Sequence, residues 1–199
     1  MKFFWTILGA VLLGVTANAA TLDDNLTSKQ LRVYGVEKPV KIYVFTSFSC
    51  PHCTVFHKTI LPDIKQIVDE GKAQLILVEM PYDARAMTGT LLARCLPAKH
   101  YDKFAAAMFD NQQTWSMSNN PKPIITGYAK LLGMSDVQIN TCLADKELSK
   151  TITAQRNNLA NMYGVTGMPS VAVVSDGSHK LLVGTDKDEI LSQIRKRIK

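Results

Sequence analysis

Residues 45–53 read FTSFSCPHC, and this short segment constrains the structure of the chain more than any other. Residues 40–46 (VKIYVFT) are mostly β-branched or aromatic, a composition that predicts a buried strand. From position 51 to about position 70 apolar residues recur at spacings of three and four, which predicts one buried face of a helix. Cys50 and Cys53 are therefore expected where a strand turns into a helix.

A cysteine at the start of a helix is chemically activated. Unpaired backbone N–H groups and the helix dipole favour negative charge there, so the thiol pKa of Cys50 should be lowered. His52 can add a donor or a positive charge beside the sulfur, and Pro51 suits the first helical position because its missing N–H would be unpaired anyway. A stabilised thiolate leaves easily, so a Cys50–Cys53 disulfide would readily be given to a substrate thiol. We expect Cys53 to be more buried and to resolve the mixed disulfide.

The same two cysteines have an alternative interpretation as part of a metal site. Two cysteines at this spacing form half of many zinc sites, and two more ligands would be needed. His52 and His57 are the nearest candidates in the sequence. Because Pro51 and a strand directly upstream suit redox geometry better than a zinc knuckle, we predict neither a metal nor another cofactor. His52 itself could also be a solvated residue with no electronic role.

The rest of the chain alternates between strands and helices. Pro62 should kink the helix of residues 51–70 and Gly71 should end it. Strands are predicted at residues 31–34, 73–80, 170–174 and 180–183, and the last two are joined by the turn dipeptide Asp176-Gly177. Helices are predicted at residues 84–96, 101–109, 124–132, 135–143, 146–163 and 187–198. A block of about 80 helical residues thus interrupts a chain that is otherwise rich in strands.

The N-terminus has the pattern of an export signal. Lys2 precedes an apolar run over residues 3–15, and Ala17-Asn18-Ala19 offers a cleavage site of the A-x-A type. We predict a signal peptide of residues 1–19, cut after Ala19 to leave a soluble periplasmic protein. The alternative is an uncleaved anchor, which would need roughly 20 apolar residues, more than this run supplies.

Charge and cysteine content narrow the function classes further. The net charge of +6 over 199 residues is modest, and its basic cluster near the C-terminus suits the last turn of a helix. We therefore expect no nucleic-acid partner. Four cysteines in an exported chain indicate disulfide chemistry, because the cell envelope allows disulfides to persist.

Taken in order, these motifs resemble the DsbA family of periplasmic thiol-disulfide oxidants. The resemblance rests on FTSFSCPHC, the helical block after the second long strand, YGVTGMPS at residues 163–170, and the terminal hairpin and helix. It implies an α/β protein with a thioredoxin fold made of residues 20–83 and 164–199. An all-helical domain would be inserted at residues 84–163.

The resemblance also implies roles for individual residues. Cys50 would be the nucleophile, Cys53 the resolving thiol, and Pro169 a cis proline that faces the disulfide. Met168 would contact the redox centre and offer its backbone to the substrate chain. The residues themselves leave an ordinary trans proline at a strand start as the alternative for Pro169.

Three positions bear on the strength of such an oxidant. Met168 replaces the Val or Thr expected in the family, and its flexible thioether can alter substrate binding or the environment of the sulfur. Val44 stands six residues before Cys50, where DsbA has a buried acid. Glu79, late in the neighbouring strand, could replace that proton carrier, but we expect it to lie at an edge or on the surface.

Cys95 and Cys142 fall in the helical block, 47 positions apart. If Cys50 pairs with Cys53, these two are each other's remaining partner, and we predict a structural disulfide between them. In the chain-entropy model it would stabilise the fold by about 4 kcal/mol, and it requires Cα atoms within about 7 Å. The alternative is a pair of buried free thiols that act as small apolar residues.

The sequence leaves several functions in competition. The leading hypothesis is a monomeric oxidase that acts on reduced exported proteins and is re-oxidised by a membrane redox partner, as the resemblance implies. An isomerase or reductase could use the same sulfurs, although isomerases of this kind resemble dimers with an N-terminal dimerisation domain. Two hypotheses from different functional classes are a metal-binding module and a scaffold that binds unfolded chains near Met168 without turnover.

Overall fold

A mixed β-sheet positions the strand-to-helix turn that carries the cysteine motif. The computed structural model describes residues 30–198, and the predicted signal peptide lies outside them. Within those residues the strands are β1 (Arg32–Tyr34), β2 (Lys41–Thr46), β3 (Gln74–Glu79), β4 (Ser170–Ser175) and β5 (Ser178–Val183). Their order is β1-β3-β2-β4-β5, with β2 parallel to β3 and the other neighbours antiparallel. β2 is therefore central, and the motif follows its C-terminal end.

Both faces of the sheet are covered. Along β2, Ile42 and Val44 belong to the main hydrophobic core, whereas Phe45 points to a smaller cluster on the other face. This alternation is the period of two that a strand imposes on its side chains. Tyr163 covers the second face, with its ring centroid 4.8 Å from that of Tyr43. A strand buried on both faces explains why residues 40–46 read as a nearly continuous apolar run.

The helix predicted for residues 51–70 is in fact two helices, α1 (Pro51–Thr59) and α2 (Leu61–Asp69). Pro62 stands in the first turn of α2, where its missing N–H is tolerated. Inside a continuous helix the same residue would remove a hydrogen bond and clash with the carbonyl of Lys58. The chain therefore breaks at Ile60 instead of only kinking.

A block of helices lies between β3 and β4, as the sequence predicts. Its members are α3 (Ala84–Cys95), α4 (Tyr101–Asp110), α5 (Gln112–Ser116), α6 (Pro121–Leu131), α7 (Asp136–Ala144) and α8 (Lys146–Tyr163). A 3-10 turn over Ala98–His100 precedes α4. Helix α5 is not among the predicted helices. Helix α6 begins before its predicted start, because Pro121 is an N-terminal helix residue and not part of a loop. No helix within residues 30–198 is both long enough and apolar enough to cross a bilayer.

The C-terminal part returns to the sheet as a hairpin and a closing helix. β4 and β5 pair with Ser175 opposite Ser178, so only two residues form the turn. Asp176 and Gly177 have φ angles of 49° and 72°, the left-handed values that a tight hairpin turn of this kind requires. Helix α9 (Lys187–Arg197) then packs on β4, with Ile190, Leu191 and Ile194 buried among its residues.

The second cysteine pair joins two helices of the block. Cys95 at the end of α3 and Cys142 in α7 form a disulfide whose Cα atoms lie 6.2 Å apart, inside the range that a bridge allows. Cys142 is buried and Cys95 is half-buried. The bridge ties together parts of the chain that are 47 residues apart.

Removal of this bridge should destabilise the protein without changing its fold. For the double variant Cys95→Ala/Cys142→Ala we expect the free energy of unfolding to fall by about 4 kcal/mol, because the unfolded chain regains the freedom of a long loop. Urea unfolding followed by circular dichroism measures the change. An unchanged unfolding midpoint would show that the bridge has no structural role.

Candidate active site

The turn that carries Cys50 is held by its own backbone. The Cys50 N–H donates to the carbonyl of Ser47 at 3.1 Å, and Cys50 itself is extended, with φ −87° and ψ 118°. It is the N-cap residue of α1, and the Cys53 N–H donates to its carbonyl at 3.1 Å. Pro51 fills the first helical position, as predicted. The Cys50 side chain is thus presented at a helix N-terminus beyond the end of the central strand.

The two sulfurs differ in exposure and in partners. Cys50 is 8% exposed, whereas Cys53 is fully buried, and both are free thiols in the structure. The Ser47 N–H donates to the Cys53 sulfur at 3.4 Å, which fixes that side chain under the turn. Cys50 is therefore the sulfur that an incoming thiol can reach, and Cys53 is the one behind it.

Hydrogen bonding favours the anionic form of Cys50. The strongest influence is a hydrogen bond from the Cys53 side chain, and the backbone N–H groups of Cys53 and His52 and the charge of His52 act in the same direction. Burial opposes them, and the balance lowers the pKa of Cys50 to about 6 from an ordinary value of 9.0. The hydrogen bond to Cys50, followed by burial, raises the pKa of Cys53 well above its ordinary value. The Cys50 thiol therefore favours the anionic form, and the Cys53 thiol keeps its proton and donates a hydrogen bond to Cys50.

The segment before β4 closes the other side of the site. The peptide bond between Met168 and Pro169 is cis. In its thiol form the Cys50 sulfur donates to the Met168 carbonyl oxygen at 3.7 Å, although the two residues are 118 positions apart. Ser170 Oγ supports this turn by donating to the Gly167 carbonyl at 2.7 Å. The structure therefore brings together Cys50, Cys53, Met168 and Pro169, the set that the sequence analysis singled out.

The histidines near the motif occupy different environments. His52 is exposed beside Cys50. His57 is half-buried, and its ring stacks on Phe109 with centroids 4.6 Å apart. Burial is the main cause that lowers the pKa of His57 to about 4. Within residues 30–198 no three His, Cys, Asp or Glu side chains are grouped in a way that would hold a metal ion.

Glu79 lies neither at an edge nor on the surface, and that expectation is wrong. Its side chain is 5% exposed, and Arg94 from α3 donates to it through Nη2 at 2.6 Å and Nε at 3.1 Å. Tyr101 adds a hydrogen bond at 3.1 Å. The Arg94 charge offsets the cost of burying the carboxylate, so this group fastens the sheet to the helical block. Val44 is fully buried in the main core.

Two polar side chains at the site are absent from the residues predicted from the sequence. Asp83, the N-cap of α3, accepts from Ala86 N at 2.7 Å and from Ser49 Oγ at 3.0 Å. A cap signal before residue 84 could have located it. Gln112 donates from its side-chain amide to two carbonyls of the cysteine turn. No sequence signal marks Gln112, because its partners are more than 60 positions away.

Comparison with protein families gives a match over most of the chain. The family described as Thioredoxin matches residues 27–181. The match covers both the cysteine motif and the Met168-Pro169 turn.

Individual relatives and solved structures agree with this match. A provisionally named protein-disulfide oxidoreductase of Rickettsia felis is 27% identical over 186 residues, which are 89% of this chain and 64% of that protein. The chain therefore spans less than two thirds of the length of this relative. The provisionally named disulfide bond formation protein D of Bacillus anthracis is 26% identical and covers 98% of this chain and 94% of its own. The crystal structure of Wolbachia pipientis alpha-DsbA1 superposes with a TM-score of 0.76 at 23% identity, over 85% of this chain and 91% of that one.

Proposed function

Because this chain belongs to the thioredoxin family, we propose that it is a DsbA-like thiol-disulfide oxidoreductase that introduces disulfides into exported proteins. The dithiol Cys50 and Cys53 would carry the reaction, and His52 and Pro51 would shape the electrostatics of its first sulfur. Export through the predicted signal peptide of residues 1–19 would place the protein in the periplasm, where such disulfides persist.

One observation carries the direction of the reaction, namely the position of Cys50 as the N-cap of α1, where hydrogen bonds lower its thiol pKa. A group that stabilises the thiolate stabilises the reduced form of the pair, so the disulfide form gives up its bond more readily. At neutral pH, above a pKa of about 6, Cys50 is mostly anionic in the reduced protein. This favours an oxidant over a reductant built on the same two sulfurs.

The proposed reaction is two consecutive thiol-disulfide exchanges. A substrate thiolate attacks the Cys50 sulfur, the Cys50–Cys53 bond breaks, and Cys53 leaves as a thiolate that takes up a proton. A second substrate thiolate then attacks the substrate sulfur of the mixed disulfide, and Cys50 leaves as the stabilised thiolate. The substrate loses two electrons and the pair gains them. Return to the disulfide form needs a two-electron oxidant, which we propose is a membrane redox partner.

Substrate approach is proposed to use the turn before β4. The Met168 carbonyl faces the Cys50 sulfur, so an unfolded chain that lies along Met168 and Pro169 would bring a cysteine to the reacting atom. The Met168 side chain is half-buried and flexible, which suits contact with varied sequences. Reduced, unfolded exported proteins are therefore the substrate class we propose, with the enzyme acting as a monomer.

Equilibrium with glutathione tests the proposal. The Cys50–Cys53 pair is equilibrated in buffers with different ratios of reduced to oxidised glutathione. Reductants of this family have reduction potentials near −270 mV, and we expect the potential of this pair to be far more oxidising. Mass spectrometry after thiol alkylation gives the oxidised fraction. A midpoint near that of reductants would favour the reductase or isomerase alternative and contradict the oxidase.

A further inference from the structure

The turn that presents Cys50 is built into the helical block as much as into the sheet. The Phe48 ring packs against Phe109 of α4, with centroids 5.1 Å apart, and lies edge-on to Phe104 at 6.2 Å. A Cβ at Gly89 of α3 would come within 3.1 Å of that ring and 2.7 Å of Met108. Phe48 is therefore seated among the helices of the block, two residues before the nucleophile.

The backbone of this turn is held by a single side chain from the same block. Gln112, at the start of α5, donates through Nε2 to the Phe48 carbonyl at 2.6 Å and to the Cys50 carbonyl at 3.0 Å. Its side chain lies inside the protein, since the residue is only 9% exposed. Both acceptors are in the interior, and loss of Gln112 would leave the Phe48 carbonyl without its hydrogen bond and the Cys50 carbonyl with one donor fewer.

These contacts fix the peptide units on both sides of residue 49. Cys50 N–H is tied to Ser47, and the Cys50 carbonyl also accepts from Cys53 and Thr54 of α1. Gln112 thus completes a set of bonds that leaves the Cys50 backbone little freedom to rotate. Since the direction of a side chain follows its backbone, the same bonds set where the Cys50 sulfur points.

We propose that Gln112 is a positioning residue of the dithiol: its amide holds the carbonyls of Phe48 and Cys50 so that the Cys50 sulfur faces Cys53 and the first N–H groups of α1. This inference rests on the proposed function, because it concerns how the same sulfur is kept reactive. The helical block thereby contributes directly to the redox centre.

Substitution of Gln112 by an apolar residue of similar shape tests the inference. In Gln112→Met the Cys50 sulfur should be less well aligned with Cys53 and the first N–H groups of α1. Loss of about one hydrogen bond to the sulfur would raise the pKa of the Cys50 thiol by about half to one unit. The glutathione equilibrium should move toward a weaker oxidant in the same variant. Ultraviolet absorbance of the thiolate as a function of pH measures the pKa in the full-length reduced protein.

A matched control is available in the next residue. Gln113 is exposed on the same short helix. Gln113→Met therefore makes the same chemical change as Gln112→Met but leaves the hydrogen bonds of the cysteine turn in place. Its Cys50 pKa should equal that of the wild type. Gln112→Ala leaves room for water at the two carbonyls, which keeps the test open if the methionine variant does not fold.

The outcomes separate this inference from the function on which it rests. A wild-type Cys50 pKa near 8.5 would contradict the proposed oxidase itself. A low wild-type pKa that both Gln112 variants retain would overturn only the positioning role, even if their thermal stability fell. If neither variant folded, Gln112 would be a residue required for folding and the inference would be overturned too.

Discussion

Replacement of Cys50 by serine is expected to reduce disulfide transfer to a reduced, unfolded protein to the uncatalysed rate. The serine oxygen cannot form the sulfur-sulfur bond that is given to the substrate, and Cys53 is fully buried behind it. The assay follows the loss of free thiols in the substrate on mixing with the oxidised enzyme. Transfer at the wild-type rate by Cys50→Ser would show that another cysteine is the nucleophile.

Two further variants make this result specific. Cys53→Ser keeps the reactive sulfur but lacks the resolving thiol. When it is mixed with a substrate that already holds a disulfide, its Cys50 thiolate should attack that bond, release one substrate thiol and remain trapped as a mixed disulfide, which Cys50→Ser cannot form. The double variant Cys95→Ala/Cys142→Ala lacks the other pair, which lies in the helical block, and should still transfer disulfides. Together they distinguish the redox pair from the structural one.

Replacement of Glu79 by alanine is expected to lower the free energy of unfolding by about 3 to 5 kcal/mol, because it leaves the buried Arg94 charge without its partner. The side chains of Glu79 and Arg94 are 5% and 2% exposed, so water cannot substitute for the lost carboxylate without local opening. Tyr101 loses its acceptor at the same time. Urea unfolding measures the change.

An exposed ion pair is the control for Glu79. Glu37 pairs with Lys41 at 3.1 Å but its side chain is 81% exposed, so Glu37→Ala should change stability by less than about 1 kcal/mol. Glu79→Gln keeps an acceptor for Arg94 and should fall between the two. Equal effects of Glu79→Ala and Glu37→Ala would show that the buried pair does not fasten the sheet to the helical block.

Most of the fold could be predicted because its signals are local. The expected class, a thioredoxin fold with an inserted helical domain, is confirmed by the family match and by the superposition on alpha-DsbA1. The strand of residues 40–46 was located from its apolar run, and the hairpin from Asp176-Gly177. The sequence predicts one kinked helix where the structure has two helices separated at Ile60. A proline in a periodic segment is compatible with either a kink or a new helix start, and packing determines which of them forms.

The site was predictable only where its residues are marked by chemistry. Cys50 and Cys53 are recognisable from their spacing and from the strand before them. The environment of Glu79 depends on the Arg94 side chain, 15 positions away, and that of Gln112 on two backbone carbonyls more than 60 positions away. Glu79 can be buried because Arg94 neutralises its charge. Gln112 lies on a five-residue helix, which has too few apolar positions for a helical period to be recognised in the sequence.

The carbonyl contact between Met168 and the Cys50 sulfur has a consequence for biosynthesis. A ribosome makes Cys50 early, the amide of Gln112 some sixty residues later, and Met168 only after the whole helical block. A nascent chain therefore carries Cys50 before its contacts with Gln112 and Met168 can form. The side of the redox site formed by Met168 is therefore completed last, when β4 pairs with β2.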